Sequence, residues 1–135
     1  MVDAEVVERK VARAATYLDR VERLFAAGPP IPESDHDLAS FYLLLAIQEC
    51  VDLATHWIAD AGWLAPDETA AVFDVLAENG AIDRELAPVL RGAVGLRHRI
   101  AHGYATVDHQ RVIDEAKTGL PSLRQFLSTV AAEAR

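Results

Sequence analysis

The chain has 135 residues, 51% of them hydrophobic, with a formal net charge of -8. That length and apolar content predict one domain, 1–135, with a core large enough to need no disulfide staples. The acidic balance excludes wholesale electrostatic binding of nucleic acid, and the sparse glycine and proline (7 and 6 residues) exclude a low-complexity chain.

The charged segment MVDAEVVERKVARAATYLDRVERL has no apolar stretch of the signal-peptide kind. No run of 18 apolar residues occurs, so no membrane span is expected. Val7, Val11, Ala14, Leu18, Val21 and Phe25 recur at spacings of four and three, which predicts a helix over roughly 3–26. The segment AAGPPIP ends it.

Ser34 or Asp35 is the expected cap of the next helix, which closes near Gly62. Leu44, Ile47, Val51, Ala54 and Ile58 form its stripe, and Leu38, Phe41, Leu45 and Trp57 widen it around much of the girth. Such a helix belongs at the centre of a bundle or against a partner. Gln48, Asp52 and Thr55 interrupt it as a polar strip at helical spacing. Cys50, the one cysteine, lies in this apolar run, where a thiol behaves as a small buried hydrophobe. The lone thiol fits a reducing cytoplasm.

A short helix carrying Val72, Phe73 and Leu76 is expected after Pro66, ending at Gly80. Asp83 is the expected cap of a longer helix with Leu86, Leu90, Ala93, Leu96 and Ile100 facing inward. After it, Asp108 caps a short helix through about Lys117. TGLPSL reads as a break, and Leu120, Leu123, Leu127 and Val130 face the last helix inward. No strand-like alternation appears. The predicted fold is all-α: an up-and-down bundle of about four main helices plus shorter ones.

The chemistry concentrates in GLRHRIAHGY, residues 95–104. From Leu86 to Val107 there is no Asp or Glu, while Arg91, Arg97 and Arg99 supply +3, so the rest of the chain carries -11. His98 and His102 are four apart and share a helix face. Arg97 and His102 are five apart, about 140° around an ideal helix, so a second copy is one way to bring such a pair together. Metal-free RNA cleavage needs a base for the 2′-hydroxyl proton, an acid for the leaving 5′-oxygen and a cation for the phosphorane. Histidine serves the first two tasks and arginine the third.

Three plainer readings compete. Basic residues at a helix C-terminus oppose the helix dipole. HRIAH is also a His-x-x-x-His pair, but it lacks the zinc-protease glutamate and sits among arginines, which disfavours a metal. Tyr104 alone reads as a packing residue with a hydroxyl handle. His36, His56 and His109 read as surface or cap residues. Trp57 and Trp63 read as packing, because no basic residues interleave them.

LRHRIAHGYATVD resembles the signature of HepT-like proteins of the HEPN superfamily: arginine, a polar residue, three more residues, histidine, any residue, tyrosine. Arg97, His98, His102, Gly103 and Tyr104 fill those positions, with histidine where asparagine is common. FYLLLAIQECVDLATHWIA, LAENGAIDRELAPVLRGAVGLRHRIAHGY and VDHQRVIDEAKTGLPSLRQFL resemble further helices of that family. The resemblance implies the toxin of a type VII toxin–antitoxin pair, a homodimeric, cytoplasmic RNA endonuclease with its site at the dimer interface. It implies Arg97 and His102 as the catalytic pair, with His98 assisting, and neither metal nor other cofactor for the nuclease. It also implies an MntA-like minimal nucleotidyltransferase antitoxin that uses ATP and Mg2+ to attach AMP to Tyr104. Two alternatives stand beside this: a HEPN module that binds a nucleotide or partner without catalysis, and a structural helical adaptor.

Overall fold

The computed structural model describes residues 3–26, 28, 30–103 and 108–134. These form five α-helices: α1 (Ala4–Ala26), α2 (Glu33–Ala61), α3 (Val72–Glu78), α4 (Leu86–His102) and α5 (His109–Ala134). A 3-10 turn, Thr69–Ala71, leads into α3. No strand occurs among the described residues. Four long helices and one short one match the predicted architecture.

Helix α1 begins where the Asp3 carboxylate accepts the Val6 backbone N–H at 3.1 Å. Its stripe of Val7, Ala14, Leu18 and Val21 is buried, with Val11 and Phe25 packed partly against the core. Helix α2 touches all four other helices. By length and composition it is apolar enough to cross a bilayer, and its place at the centre of the bundle accounts for that apolarity. It starts a turn earlier than its capping residues predict: the Pro32 carbonyl accepts the N–H groups of Asp35 and His36, and no side chain caps it. Ser34 and Asp35 thus lie inside its first turn. At the other end Gly62 adopts φ 75°, and Trp63 N–H returns to the Ile58 carbonyl at 3.1 Å. This left-handed turn, which glycine alone adopts without strain, aims Trp63 back at the bundle.

Three further expectations need correction. Pro66 is not in the first turn of α3, which begins after the 3-10 turn. Asp83 does not cap α4 through its side chain; its carboxylate accepts Gln125 Nε2 at 3.3 Å, and its backbone carbonyl accepts Leu86 N–H. Pro88 is harmless there, because the first-turn amides have no helical partner to lose. The third correction is larger. Gly119 and Pro121 do not break the chain, and α5 runs uninterrupted from His109 to Ala134. Val112, Ala116, Leu120, Leu123, Leu127 and Val130 keep one buried stripe across the proline. Pro121 and Lys117, whose carbonyl loses its amide partner, are both exposed. At the surface a freed carbonyl is open to solvent, and burial on either side of the proline keeps the helix continuous. Asp108 does cap α5, its carboxylate accepting Arg111 N–H at 3.2 Å.

Helix α1 packs on α2 and α5, and α4 packs on the same two. Phe73 of α3 and Phe126 of α5 meet edge to face at 5.3 Å between ring centroids, both fully buried. Arg124 of α5 reaches Glu22 at 3.0 Å and Asp19 at 2.7 Å on α1. The hydrogen bond to Glu22, then that to Asp19, holds its guanidinium pKa above the ordinary arginine value. Between α1 and α2, the nearly buried Glu49 takes Lys10 at 3.4 Å and Arg13 at 3.1 Å. Cys50 is fully buried beside it, and burial, with a smaller push from Glu49, drives its thiol pKa far up. An inert core thiol is the result.

Candidate active site

The acid-free stretch 86–107 looks cationic in sequence, but the fold brings carboxylates to two of its three arginines. Arg91 pairs with Asp74 of α3 and with Glu68, the latter at 3.0 Å. Arg99 pairs with Glu115 of α5, which also takes Arg111 at 3.4 Å. Arg97 differs. Its partner is neutral: Nη1 donates to Gln48 Oε1 of α2 at 2.6 Å, and Gln48 Nε2 donates in turn to Asp52 Oδ1 at 2.9 Å. Among the described residues no carboxylate forms an ion pair with Arg97. Its charge is oriented without being cancelled, which is what a group that meets a phosphate requires.

His98 and His102 lie on one face at the end of α4, as their spacing predicts. Their rings are 4.4 Å apart between centroids, tilted by 45°, and both residues are exposed. They line a cleft of about 400 Å³ between α4 and α5, with Arg99, Asp108, Arg111 and Glu115. Among the described residues no group of three or more His, Cys, Asp or Glu is placed to hold a metal.

Arg97 lines a different cleft. This one, of about 390 Å³, lies between α2 and the segment that follows it, and includes Gln48, Thr55, Trp63, Asp67 and Thr69. One protomer therefore presents the arginine and the histidines on separate sides of α4, in keeping with the 140° between their positions. Tyr104 lies outside the described residues. A third cleft, of about 450 Å³, is lined largely by Leu43, Ile47, Val89, Leu96, Leu120 and Leu123 and contains no basic side chain.

His36 and His109, which read from sequence as surface or cap residues, come together at 4.9 Å between ring centroids where α2 and α5 begin. His109 Nε2 lies 3.8 Å from Asp37. Of the pieces around Arg97, Gln48 belongs to the polar strip that spacing shows on α2, but its bond to Arg97, 49 residues away, has no local sequence signal. Nothing in the local sequence signalled that Glu68, Asp74 and Glu115 would neutralise its neighbours.

An all-helical bundle with a basic motif at the end of its fourth helix defines a class. The described fold superposes on the tri-AMPylated Shewanella oneidensis HEPN toxin in complex with MNT antitoxin with a TM-score of 0.87, at 22% identity over 95% of this chain and 98% of that one. It also superposes on the cytosolic protein YutE from Bacillus subtilis, of unknown function, with a TM-score of 0.79 at 14% identity, over 93% and 89%. The fold is that of the HEPN toxins. Residues 30–130 match the model of the ribonuclease HepT-like family, and the chain belongs to that family. In sequence it is 29% identical over 123 residues to a putative RNase of Archaeoglobus fulgidus, covering 87% of this chain and 92% of that protein. It is 23% identical over 131 residues to the mRNA nuclease HepT of Shewanella oneidensis, covering 96% and 98%.

Proposed function

We propose that this chain is the toxin of a type VII toxin–antitoxin pair, a metal-independent endoribonuclease that acts in the cytoplasm as a homodimer. The observation that carries the reading is Arg97: the one arginine of the acid-free stretch held by a neutral amide rather than a carboxylate, five residues before an exposed histidine pair. Membership of a ribonuclease family supplies the reaction class.

In this mechanism RNA phosphate docks on Arg97. An imidazole, that of His102, removes the ribose 2′-hydroxyl proton as the 2′-oxygen bonds to phosphorus. The 5′-oxygen leaves with its bond to phosphorus broken and takes a proton from the partner protomer's equivalent group. The products are a 2′,3′-cyclic phosphate and a 5′-hydroxyl. Arg97 stabilises the extra charge on the phosphorane, and His98 supports His102 through the ring contact. Two-fold pairing is what the reading requires, because Arg97 and His102 line separate clefts within one protomer.

The partner is an MntA-like minimal nucleotidyltransferase, which uses ATP and Mg2+ to place AMP on Tyr104. The solved HEPN toxin that shares this fold is AMPylated and bound to an MNT antitoxin, which supports the assignment. Tyr104 lies two residues after His102 in sequence, and phosphate added there opposes RNA binding by charge and by bulk. Intact mass spectrometry, followed by peptide mapping, after co-expression with an MntA-like nucleotidyltransferase tests the switch. AMP increments mapping to Tyr104 are expected; modification confined to other residues contradicts it.

A further inference from the structure

The cleft beside Arg97 has a composition that phosphate binding does not explain. Its wall includes Ile58 and the half-buried Trp63, an aromatic ring packed on the core yet lining the opening. Its polar groups, Arg97 and the Thr69 hydroxyl apart, are weighted toward acceptance. Thr55 Oγ1 already donates to the Val51 carbonyl at 2.9 Å, so its lone pairs are what it offers to a ligand. Asp67 is an exposed carboxylate with no hydrogen bond or ion pair among the described residues. Gln48 Oε1 accepts from Arg97 and retains a lone pair.

We infer that this cleft is a nucleobase subsite, and that it favours bases carrying an exocyclic amine over uracil. The inference rests on the ribonuclease reading for its substrate class and deepens it. A nucleotide whose phosphate sits on Arg97 carries its base into the same cleft, where Trp63 offers a ring to stack against. Stacking alone tolerates every base, so the selectivity comes from the acceptors. Adenine, cytosine and guanine each present an amine to Asp67 and Thr55. Guanine presents two adjacent donors, N1–H and the 2-amine, matched to the two carboxylate oxygens. Uracil has a single N–H between two carbonyl oxygens, which face those same acceptors and repel them. Trp63, which reads as packing in sequence because no basic residue adjoins it, has its cation supplied from α4.

The test is titration of the full-length protein with GMP, AMP, CMP and UMP, read by tryptophan fluorescence. Trp57 is buried and gives a constant background. The three amine-bearing nucleotides should quench and bind roughly tenfold tighter than UMP, the discrimination that one or two charge-assisted hydrogen bonds supply. Trp63→Phe should remove the quench. Asp67→Asn, at an exposed position that leaves the fold intact, should bring the GMP-to-UMP ratio close to one. Equal affinity for UMP, a quench that persists in Trp63→Phe, or an unchanged ratio in Asp67→Asn overturns the subsite. The two readings separate cleanly. Discrimination among nucleotides by a protein that cuts no RNA keeps the subsite and removes the nuclease, whereas cleavage without discrimination does the reverse.

Discussion

Replacing Gln48 isolates what the neutral partner does for Arg97. Gln48→Leu keeps the size of the side chain on an exposed position of α2 and removes the 2.6 Å acceptor. A hydrogen bond with one charged member is worth about 1.5–3 kcal/mol when well desolvated. At this exposed site about 1–1.5 kcal/mol is appropriate, which corresponds to roughly a tenfold loss in kcat/KM if the bond holds Arg97 where the transition state needs it. Gln48→Glu asks the sharper question, because it gives Arg97 the kind of partner that Arg91 and Arg99 already have. A carboxylate there adds a screened attraction of about 1 kcal/mol and draws the guanidinium away from phosphate, so cleavage should again fall about tenfold or more. Single-turnover cleavage of a defined RNA, beside a thermal melt, measures both variants. The melts should stay within about 2 °C of the parent, as surface substitutions do. Full activity in Gln48→Glu would refute the claim that Arg97 works because its charge is uncompensated.

Other outcomes follow from the packing. Phe126→Ala removes a fully buried ring and its edge-to-face contact with Phe73; a loss of about 3–5 kcal/mol is expected by urea unfolding. Pro121→Ala restores an amide to the interior of α5; the melting temperature should rise, and a fall would contradict the account of how the helix crosses that residue. Cys50 sets a pH dependence. Its folded pKa is raised by burial, so the unfolded thiol ionises first, and stability is intact below the unfolded pKa of about 8.5 and declines above it. By pH 10 the decline is about 2 kcal/mol from this group, and Cys50→Ala should show a correspondingly shallower alkaline slope in urea titrations.

The helices were legible because their stripes are long and regular: α1, α2 and the two halves of α5 each read directly from spacing. The run through Gly119 and Pro121 was not, since local residues there favour a stop, and only the buried stripe on both sides overrides them. The ends of α2 and α4 differed for a related reason. Ser34, Asp35 and Asp83 are good capping residues, yet backbone carbonyls do the capping, and Asp83 is used on Gln125 instead. At the site, the helical angle between Arg97 and His102 predicted their separation, and four-residue spacing predicted the His98–His102 contact. Charge was where sequence counting misled. The +3 of residues 86–107 is largely cancelled by Glu68, Asp74 and Glu115, which are distant in sequence from the arginines they meet. What survives is one arginine, and it is the one that the family motif singles out.

The most direct measurement is cleavage of single-stranded RNA by the purified chain in excess EDTA, with end-group analysis of the products, for the parent, Arg97→Ala and His102→Ala. The expected result is 2′,3′-cyclic phosphate ends from the parent and a loss of at least about 100-fold in each variant, the size expected for a general acid–base group or a transition-state cation. Cleavage that stops on chelation, or that persists undiminished in both variants, would contradict it.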